Sequence, residues 1–202
     1  FSSVVLRPAI NISAVPFDPE KELTPVSMMA EQAFVLTVNA SLQAKTVKEL
    51  LQQLKENPGK YNFTSPGPGG LPHLLGEILK RRAGVEMVHI PFKGDRAAFQ
   101  SLMVGDVQVA FTAPNLYGGG NSDRIRVLAI AAPQRAPQYP GVPTMAEAGM
   151  PGMGYTAWHG LFAPAGIPRA VAARVDKEIR TALSATEGRQ TLENMGFTAG
   201  SD

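Results

Sequence analysis

Apolar runs and amphipathic stretches alternate through the middle of the chain. Residues 33–39 (AFVLTVN) form a mostly apolar run that is typical of a buried strand. A capping box of Thr46 and Glu49 then opens a segment whose apolar residues fall on one helical face, and residues 57–59 (NPG) end it. The pattern therefore predicts a strand followed by a helix.

The same alternation continues towards the C-terminus. Further strands are predicted at residues 61–64, 87–91, 107–111, 126–131 and 155–162. Helices are predicted from Leu71 to Gly84, from Arg96 to Gly105, from Pro168 onward, and from Thr186 to Met195. Strands that alternate with helices in this way predict an α/β fold, with mainly parallel sheets covered by crossover helices.

The composition is that of an ordinary globular protein. The chain has 202 residues, of which 44% are hydrophobic and 18% charged, enough for one substantial core or two small lobes. Lys and Arg number 19 against 17 Asp and Glu, so the chain lacks the basic footprint of a nucleic-acid-binding protein. No run approaches the roughly 18 apolar residues of a membrane span, so we expect a protein that does not itself span the membrane.

Two absences narrow the chemistry. The sequence contains no cysteine, which excludes disulfides, thiolate metal sites and thiol catalysis. Its three histidines, His73, His89 and His159, are too far apart in sequence to give a metal-binding spacing, so we expect no metal site.

The chain begins at Phe1 without the pattern of a signal peptide, and we expect a processed chain or a fragment.

The most informative segment is TSPGPGGLPH at residues 64–73, between a predicted strand and a predicted helix. Glycines let the backbone approach a ligand closely, and the free N–H groups of a helix start favour an anion. The segment lacks the Gly-Lys-Ser/Thr of a P-loop, and Pro72 stands where the dinucleotide fingerprint needs glycine. A carboxylate cradle and a purely conformational turn both remain open. The candidate ligand-binding residues are Thr64, Ser65, Gly67, Gly69, Gly70 and His73.

A second loop, PFKGDR at residues 91–96, also joins the end of a predicted strand to the start of a helix. In a parallel sheet both loops open on the same edge, where α/β proteins usually bind ligands. Phe92, Lys93 and Gly94 are therefore further candidates, and Lys93 and Arg96 could attract an anion. The alternative is that these charged side chains are simply solvated.

Six segments stand in a distinctive order along the chain. They are FDPEKELTPV at 17–26, AKTVKELL at 44–51, NPGKYNF at 57–63, HLLGEILKRRAGVEMVHIPFKG at 73–94, RVLAIAAPQRAPQYPGVPTMAEAGMPG at 126–152 and WHGLFAPAGIP at 158–168. In this order they resemble the substrate-binding proteins of tripartite tricarboxylate transporters, often called Bug-type receptors. The resemblance covers nearly the whole chain.

The resemblance implies a two-lobed protein of the periplasmic-binding-protein (Venus flytrap) type. Residues 33–154 would form the second lobe, and residues 1–32 and 155–202 the remainder of the first. Such a protein lies in the periplasm, captures a small carboxylate and delivers it to membrane permease subunits, with no cofactor and no catalysed reaction. The family's ligand loop maps onto Ser65–His73, whose amides and hydroxyls would hold the carboxylate directly or through water.

Two features depart from the family pattern. Pro66 and Gly70 stand where family members commonly carry serine, which changes the donors of the expected loop. The family's opening βα unit has no counterpart before Phe1, so we expect an incomplete first lobe, in a fragment or a degenerate copy. An interaction or sensor module derived from a receptor lobe therefore stays open as an alternative. The remaining alternative is an α/β enzyme with His73 or His159 as a general base, although no nucleophile signature accompanies either residue.

Overall fold

The computed structural model describes residues 17–114, 123–136 and 139–200. Along the chain the helices and strands are α1 (Pro19–Glu22), β1 (Leu23–Asn39), α2 (Val47–Glu56), β2 (Asn62–Ser65), α3 (Leu71–Ala83), β3 (Val88–Pro91), α4 (Asp95–Val104), β4 (Val109–Thr112), β5 (Ile125–Ala131), β6 (Thr156–Pro164), α5 (Arg169–Ser184), α6 (Thr186–Asn194) and β7 (Thr198–Ala199). In this part of the chain no helix is both long enough and apolar enough to cross a membrane.

The described residues divide into two compact units. Residues 17–32 and 157–200 belong to the first unit, and the described residues between 33 and 156 belong to the second. Strand β1 supplies residues 23–32 to the first unit and residues 33–39 to the second. The Gly-rich sequence of residues 113–123 predicts a loop, and most of it lies outside the described residues, as do residues 137 and 138.

The sheet of the second unit has the strand order β3-β2-β4-β1-β5. Strand β2 runs parallel to β3 and β4, whereas β1 is antiparallel to β4 and to β5. Four strands therefore share one direction and β1 alone opposes them. The sheet of this unit is mixed, and β1 is where it departs from the parallel pairing that the sequence predicts.

The helices of the second unit begin and end at the signals that the sequence carries. Thr46 Oγ1 accepts a hydrogen bond from the Glu49 N–H, and the Glu49 carboxylate accepts one from the Lys45 N–H, which together cap the start of α2. Helices α3 and α4 end at Gly84 and Gly105, which adopt φ angles of 62° and 89°. Glycine occupies this left-handed conformation without the Cβ penalty that other residues incur.

The core of the second unit lies between the sheet and its helices. Phe63 on β2 is 1% exposed and lies against Gly76 of α3, a helix whose Leu75 and Leu79 are fully buried. A Cβ atom on Gly76 would lie 2.2 Å from Cε2 of Phe63, so only glycine leaves room for the ring at this point of the helix. This packing fixes the position of α3 over the end of β2.

The first unit is built on the first part of β1, which pairs with β6 and β7. Strand β7 pairs antiparallel with β1 at Ala30 and Glu31. Helix α5 follows Pro168, as the sequence predicts, and neither α5 nor α6 contains a buried residue.

Three elements differ from the sequence-based expectation. Strand β1 begins at Leu23 and not at residue 33. The hydrophobic pattern does not predict its first part, because residues 23–32 include a proline and polar residues and are only partly buried. Helix α1 and strand β7 were not predicted. With four and two residues, both are too short to show a hydrophobic period.

Candidate functional site

Two loops lie side by side at the carboxyl edge of the second unit's sheet. The glycine loop (residues 66–70) follows β2, and the lysine loop (residues 92–94) follows β3, the parallel neighbour of β2. The Phe92 N–H donates to the Ser65 carbonyl at 2.9 Å, and the Gly94 N–H donates to the Pro66 carbonyl at 3.2 Å. The structure thus brings together the two segments that the sequence singles out.

The side chain of Ser65 anchors the glycine loop. Ser65 is 1% exposed, and its Oγ donates to the Gly67 carbonyl at 3.0 Å and accepts from the Gly67 N–H at 3.3 Å. The same Oγ lies 2.7 Å from His89 Nε2. Since a hydroxyl has one proton and two lone pairs, all three contacts are satisfied when His89 carries its proton on Nε2 and donates it to Ser65.

His73, in the first turn of α3, holds the other half of the glycine loop. Its Nδ1 accepts a hydrogen bond from the Gly69 N–H at 3.2 Å, which requires an unprotonated Nδ1 and places the ring proton on Nε2. The ring of His73 stacks on that of His89, with 4.1 Å between their centroids. His89 also stacks on Phe63 at 4.7 Å.

Both histidines of this stack are neutral at pH 7. Burial lowers the pKa of His89 to about 4, with a further lowering from neighbouring His73. Burial also lowers the pKa of His73, opposed by the Glu77 carboxylate and reinforced by the Lys80 ammonium. The neutral rings can therefore keep the tautomers that hold Ser65 and Gly69.

Backbone N–H groups at the start of α3 are available to a ligand. Because Gly67 and Gly69 donate to Ser65 and His73, their N–H groups are already engaged. Among the described residues no acceptor receives the N–H of Gly70, Leu71 or His73. Gly70 is the N-cap residue of α3 and provides no side-chain cap, so the start of this helix can donate to an anion.

The start of α4 has the same character. Gly94 is its N-cap residue, with a φ of 98° and no side-chain cap. Lys93 and Arg96 are exposed on either side of this start, and neither forms an ion pair with a described residue. Two helix starts without side-chain caps thus border the same edge, together with the exposed side chains of Lys93 and Arg96.

Two other predicted residues have structural contacts. Thr64 is 1% exposed, and its Oγ1 donates to the Ile90 carbonyl at 3.0 Å, which ties β2 to β3. The half-buried side chain of Phe92 packs against an apolar cluster that includes Leu102 and Ile125. These two side chains support the loops. The Thr64 hydroxyl proton is already donated to Ile90 and Phe92 has no side-chain donor, so neither offers a hydrogen bond to a ligand.

His89 is the residue of this site that sequence reasoning missed. In the register of the parallel strands it pairs with Phe63, so its side chain lies on the same face of the sheet as Ser65, two residues further along β2. The distance of 2.7 Å between Ser65 Oγ and His89 Nε2 is typical of a nucleophile and its general base. However, Ser65 is buried and its hydroxyl proton is held by the Gly67 carbonyl, so the hydroxyl is not open to a substrate.

The other candidate base lies in the first unit. His159 on β6 packs edge-on against Phe197, with 5.1 Å between ring centroids. Burial lowers its pKa, and its buried Nε2 has no partner among the described residues. The described ranges also contain no cluster of three or more His, Asp or Glu side chains that could hold a metal ion.

An α/β sheet with open helix starts at its carboxyl edge is typical of proteins that bind a small anionic solute. The family model of the tripartite tricarboxylate transporter family receptor, TctC, matches residues 1–201. The chain therefore belongs to this family of solute-binding receptors.

Individual relatives agree with the family match. The chain is 36% identical over 189 residues to the protein of the tcbD–tcbE intergenic region in Pseudomonas sp. strain P51, covering 92% of this chain and 56% of that relative. The structure of R. palustris Rpa4515 with adipate has a TM-score of 0.85 at 28% identity, covering 94% of this chain and 64% of that one. MatC (Rpa3494) of Rhodopseudomonas palustris with bound malate has a TM-score of 0.81 at 28% identity, covering 92% and 64%.

Proposed function

We propose that this protein is a periplasmic solute-binding protein that captures a small carboxylate for a tripartite tricarboxylate-type transporter. The observation that carries the proposal is the pair of helix starts, at Gly70 and Gly94, that lack side-chain caps at one edge of the sheet. Backbone N–H groups and the positive end of a helix dipole together favour a carboxylate at such a place. The protein's partners would be this ligand and the membrane permease subunits of the transporter.

The donors at this edge suit one carboxylate group. Its oxygens can accept from the free N–H groups of Gly70, Leu71 and His73, while Lys93 and Arg96 raise the local concentration of anions. Adipate and malate, present in the structures of two relatives, are both small dicarboxylates and support this class of ligand. We assign residues 33–154 to one lobe of the receptor and residues 1–32 and 155–202 to the other, with the second carboxylate held outside the glycine loop.

The chemistry of the site favours capture and release over a reaction. His73 uses its Nδ1 lone pair on the Gly69 N–H, and Ser65 is buried within its own hydrogen bonds. Neither residue is available as a general base or nucleophile, so the ligand should leave unchanged.

Isothermal calorimetry on the full protein tests this proposal. Adipate and malate are titrated alongside adipamide and hexane-1,6-diol, which match adipate in length and carry no charge. We expect heat of binding from the acids alone, and recovery of each acid unchanged after prolonged incubation. Equal binding of the neutral compounds, absence of binding by a wider panel of small acids, or conversion of the acid would overturn the proposal.

A further inference from the structure

The conformation of the glycine loop depends on side chains from two neighbouring elements. Gly67 and Gly69 have φ angles of 147° and 77°, and the loop belongs to neither a helix nor a strand. Ser65 Oγ bonds both the N–H and the carbonyl of Gly67. His73 Nδ1 accepts from Gly69. These hydrogen bonds engage backbone groups of the loop and so restrict its conformation.

His89 joins these bonds into one unit. Its Nε2 lies 2.7 Å from Ser65 Oγ, and its ring stacks on His73 at 4.1 Å. Ser65, His89 and His73 thus form a continuous chain of contacts from one end of the glycine loop to the other. We call these three residues the histidine clasp.

We propose that His89 and His73 are positioning residues of the carboxylate site, clasping the glycine loop so that the N–H groups of Gly70 and Leu71 stay open to the ligand. This inference rests on the proposed function and deepens it. The two imidazole rings act through Ser65 and the loop, and neither ring needs to touch the carboxylate. When the loop is already ordered, ligand binding does not carry the entropic cost of ordering the loop, so the clasp should strengthen binding.

The clasp also makes capture sensitive to pH. A proton on His73 Nδ1 would remove the acceptor of the Gly69 N–H, and two charged rings stacked at 4.1 Å would repel each other. The groups that face the stack are Phe63 and Ser65 from β2 and Glu77 and Lys80 from α3. As the pH is lowered, the affinity for the acid should therefore decrease by more than protonation of the ligand explains.

Three variants separate positioning from packing. His89→Gln keeps an N–H donor near the position of Nε2, whereas His89→Phe keeps a stacked ring and removes the donor. Thr37→Val is the matched control, because Thr37 Oγ1 makes a buried hydrogen bond with Thr112 Oγ1 at 2.9 Å in the same sheet, and Thr37 lies on β1, which β4 separates from β2. At about pH 8, we expect His89→Phe in the full protein to bind adipate about tenfold more weakly, and the other two variants to stay within about threefold of wild type.

The pH profile supplies a second readout. His73→Asn offers an oxygen acceptor near the position of Nδ1 that cannot be protonated at neutral pH. Between about pH 6.5 and pH 4, where lowered histidine pKa values place proton uptake, adipate affinity should fall more steeply for wild type than for His73→Asn, and their ratio cancels the titration of adipate itself. Equal profiles, or a loss in His89→Phe no larger than in Thr37→Val, would overturn the clasp.

Amide hydrogen exchange distinguishes failure of the clasp from failure of the proposed function. If wild type binds no small acid, the function and its dependence on the clasp both fail. If wild type binds adipate but the Gly67 and Gly69 N–H groups exchange equally in wild type and His89→Phe, the clasp alone fails. Faster exchange at these two glycines in His89→Phe, together with weaker adipate binding, is the result expected.

Discussion

Ser65 Oγ lies 2.7 Å from Nε2 of His89, and the two residues come from neighbouring parallel strands. His89 is in register with Phe63, so Ser65 stands diagonally from it on the same face of the sheet. This diagonal relationship gives the loop after β2 a support from β3. The pairing of the strands thereby determines the shape of the site that follows them.

The buried histidine makes the stability of the protein depend on pH. His89 has a pKa of about 4 in the folded protein against its usual 6.5, so the unfolded chain binds the proton first as the pH falls. The free energy of unfolding should therefore decrease between about pH 6.5 and pH 4, and level off below. Urea denaturation across this range should show a shallower decrease in His89→Gln than in wild type. Identical pH dependence of the two proteins would show that His89 ionises as easily in the folded state.

A serine at the start of α3 should stabilise that helix relative to alanine. Gly70 has the extended φ and ψ of an N-cap residue, −77° and 160°, and a Cβ there meets its nearest neighbours at 3.7 and 3.8 Å. A serine hydroxyl could then accept from the His73 N–H. We expect Gly70→Ser to exceed Gly70→Ala by about 1 kcal/mol in the free energy of unfolding. Urea midpoints of the two variants measure this difference, and equal midpoints would contradict the assigned cap.

Gly76 should tolerate no side chain, although alanine is the better helix former. The Cβ of Gly76→Ala would overlap the Phe63 ring, and we expect a loss of about 1–3 kcal/mol in the free energy of unfolding. Combining Gly76→Ala with Phe63→Val should cost less than the sum of the two single changes, because the smaller residue makes room. Thermal denaturation of the four proteins gives the coupling, and additive losses would refute the contact.

Lys93 should assist capture of the acid by its charge. We expect Lys93→Ala to weaken adipate binding several-fold at low salt, with the difference shrinking at high salt. Lys60→Ala is the matched control, since Lys60 is also exposed and precedes the amino end of β2, at the opposite edge of the sheet. Calorimetry at two salt concentrations measures both. An equal loss in the two variants would mean that only the net charge matters.

The sequence predicts much of the second unit because its signals are local. The capping box at Thr46 and the glycine stops at Gly84 and Gly105 determine where helices begin and end. The rule that parallel strands present their carboxyl ends on one edge predicts which loops meet. Only the register, which is a non-local property, shows that His89 lies on the face of Ser65.

The hydrogen bonds of the glycine loop could not be predicted from the sequence. Glycines at positions 67 and 69 suggest amides that face a ligand, yet Ser65 and His73 already accept from both. Which N–H group remains free depends on side-chain positions that no local pattern specifies. The free donors that result are those of Gly70, Leu71 and His73, at the start of α3.

Amide NMR of the full protein during titration with adipate observes each backbone donor at the start of α3 individually. We expect the N–H signals of Gly70, Leu71 and His73 to shift with the ligand, whereas those of Gly67 and Gly69 should keep their hydrogen-bonded positions. Adipate binding that leaves the first three signals unmoved, or that displaces the Gly67 and Gly69 signals instead, would contradict a carboxylate site at the start of α3.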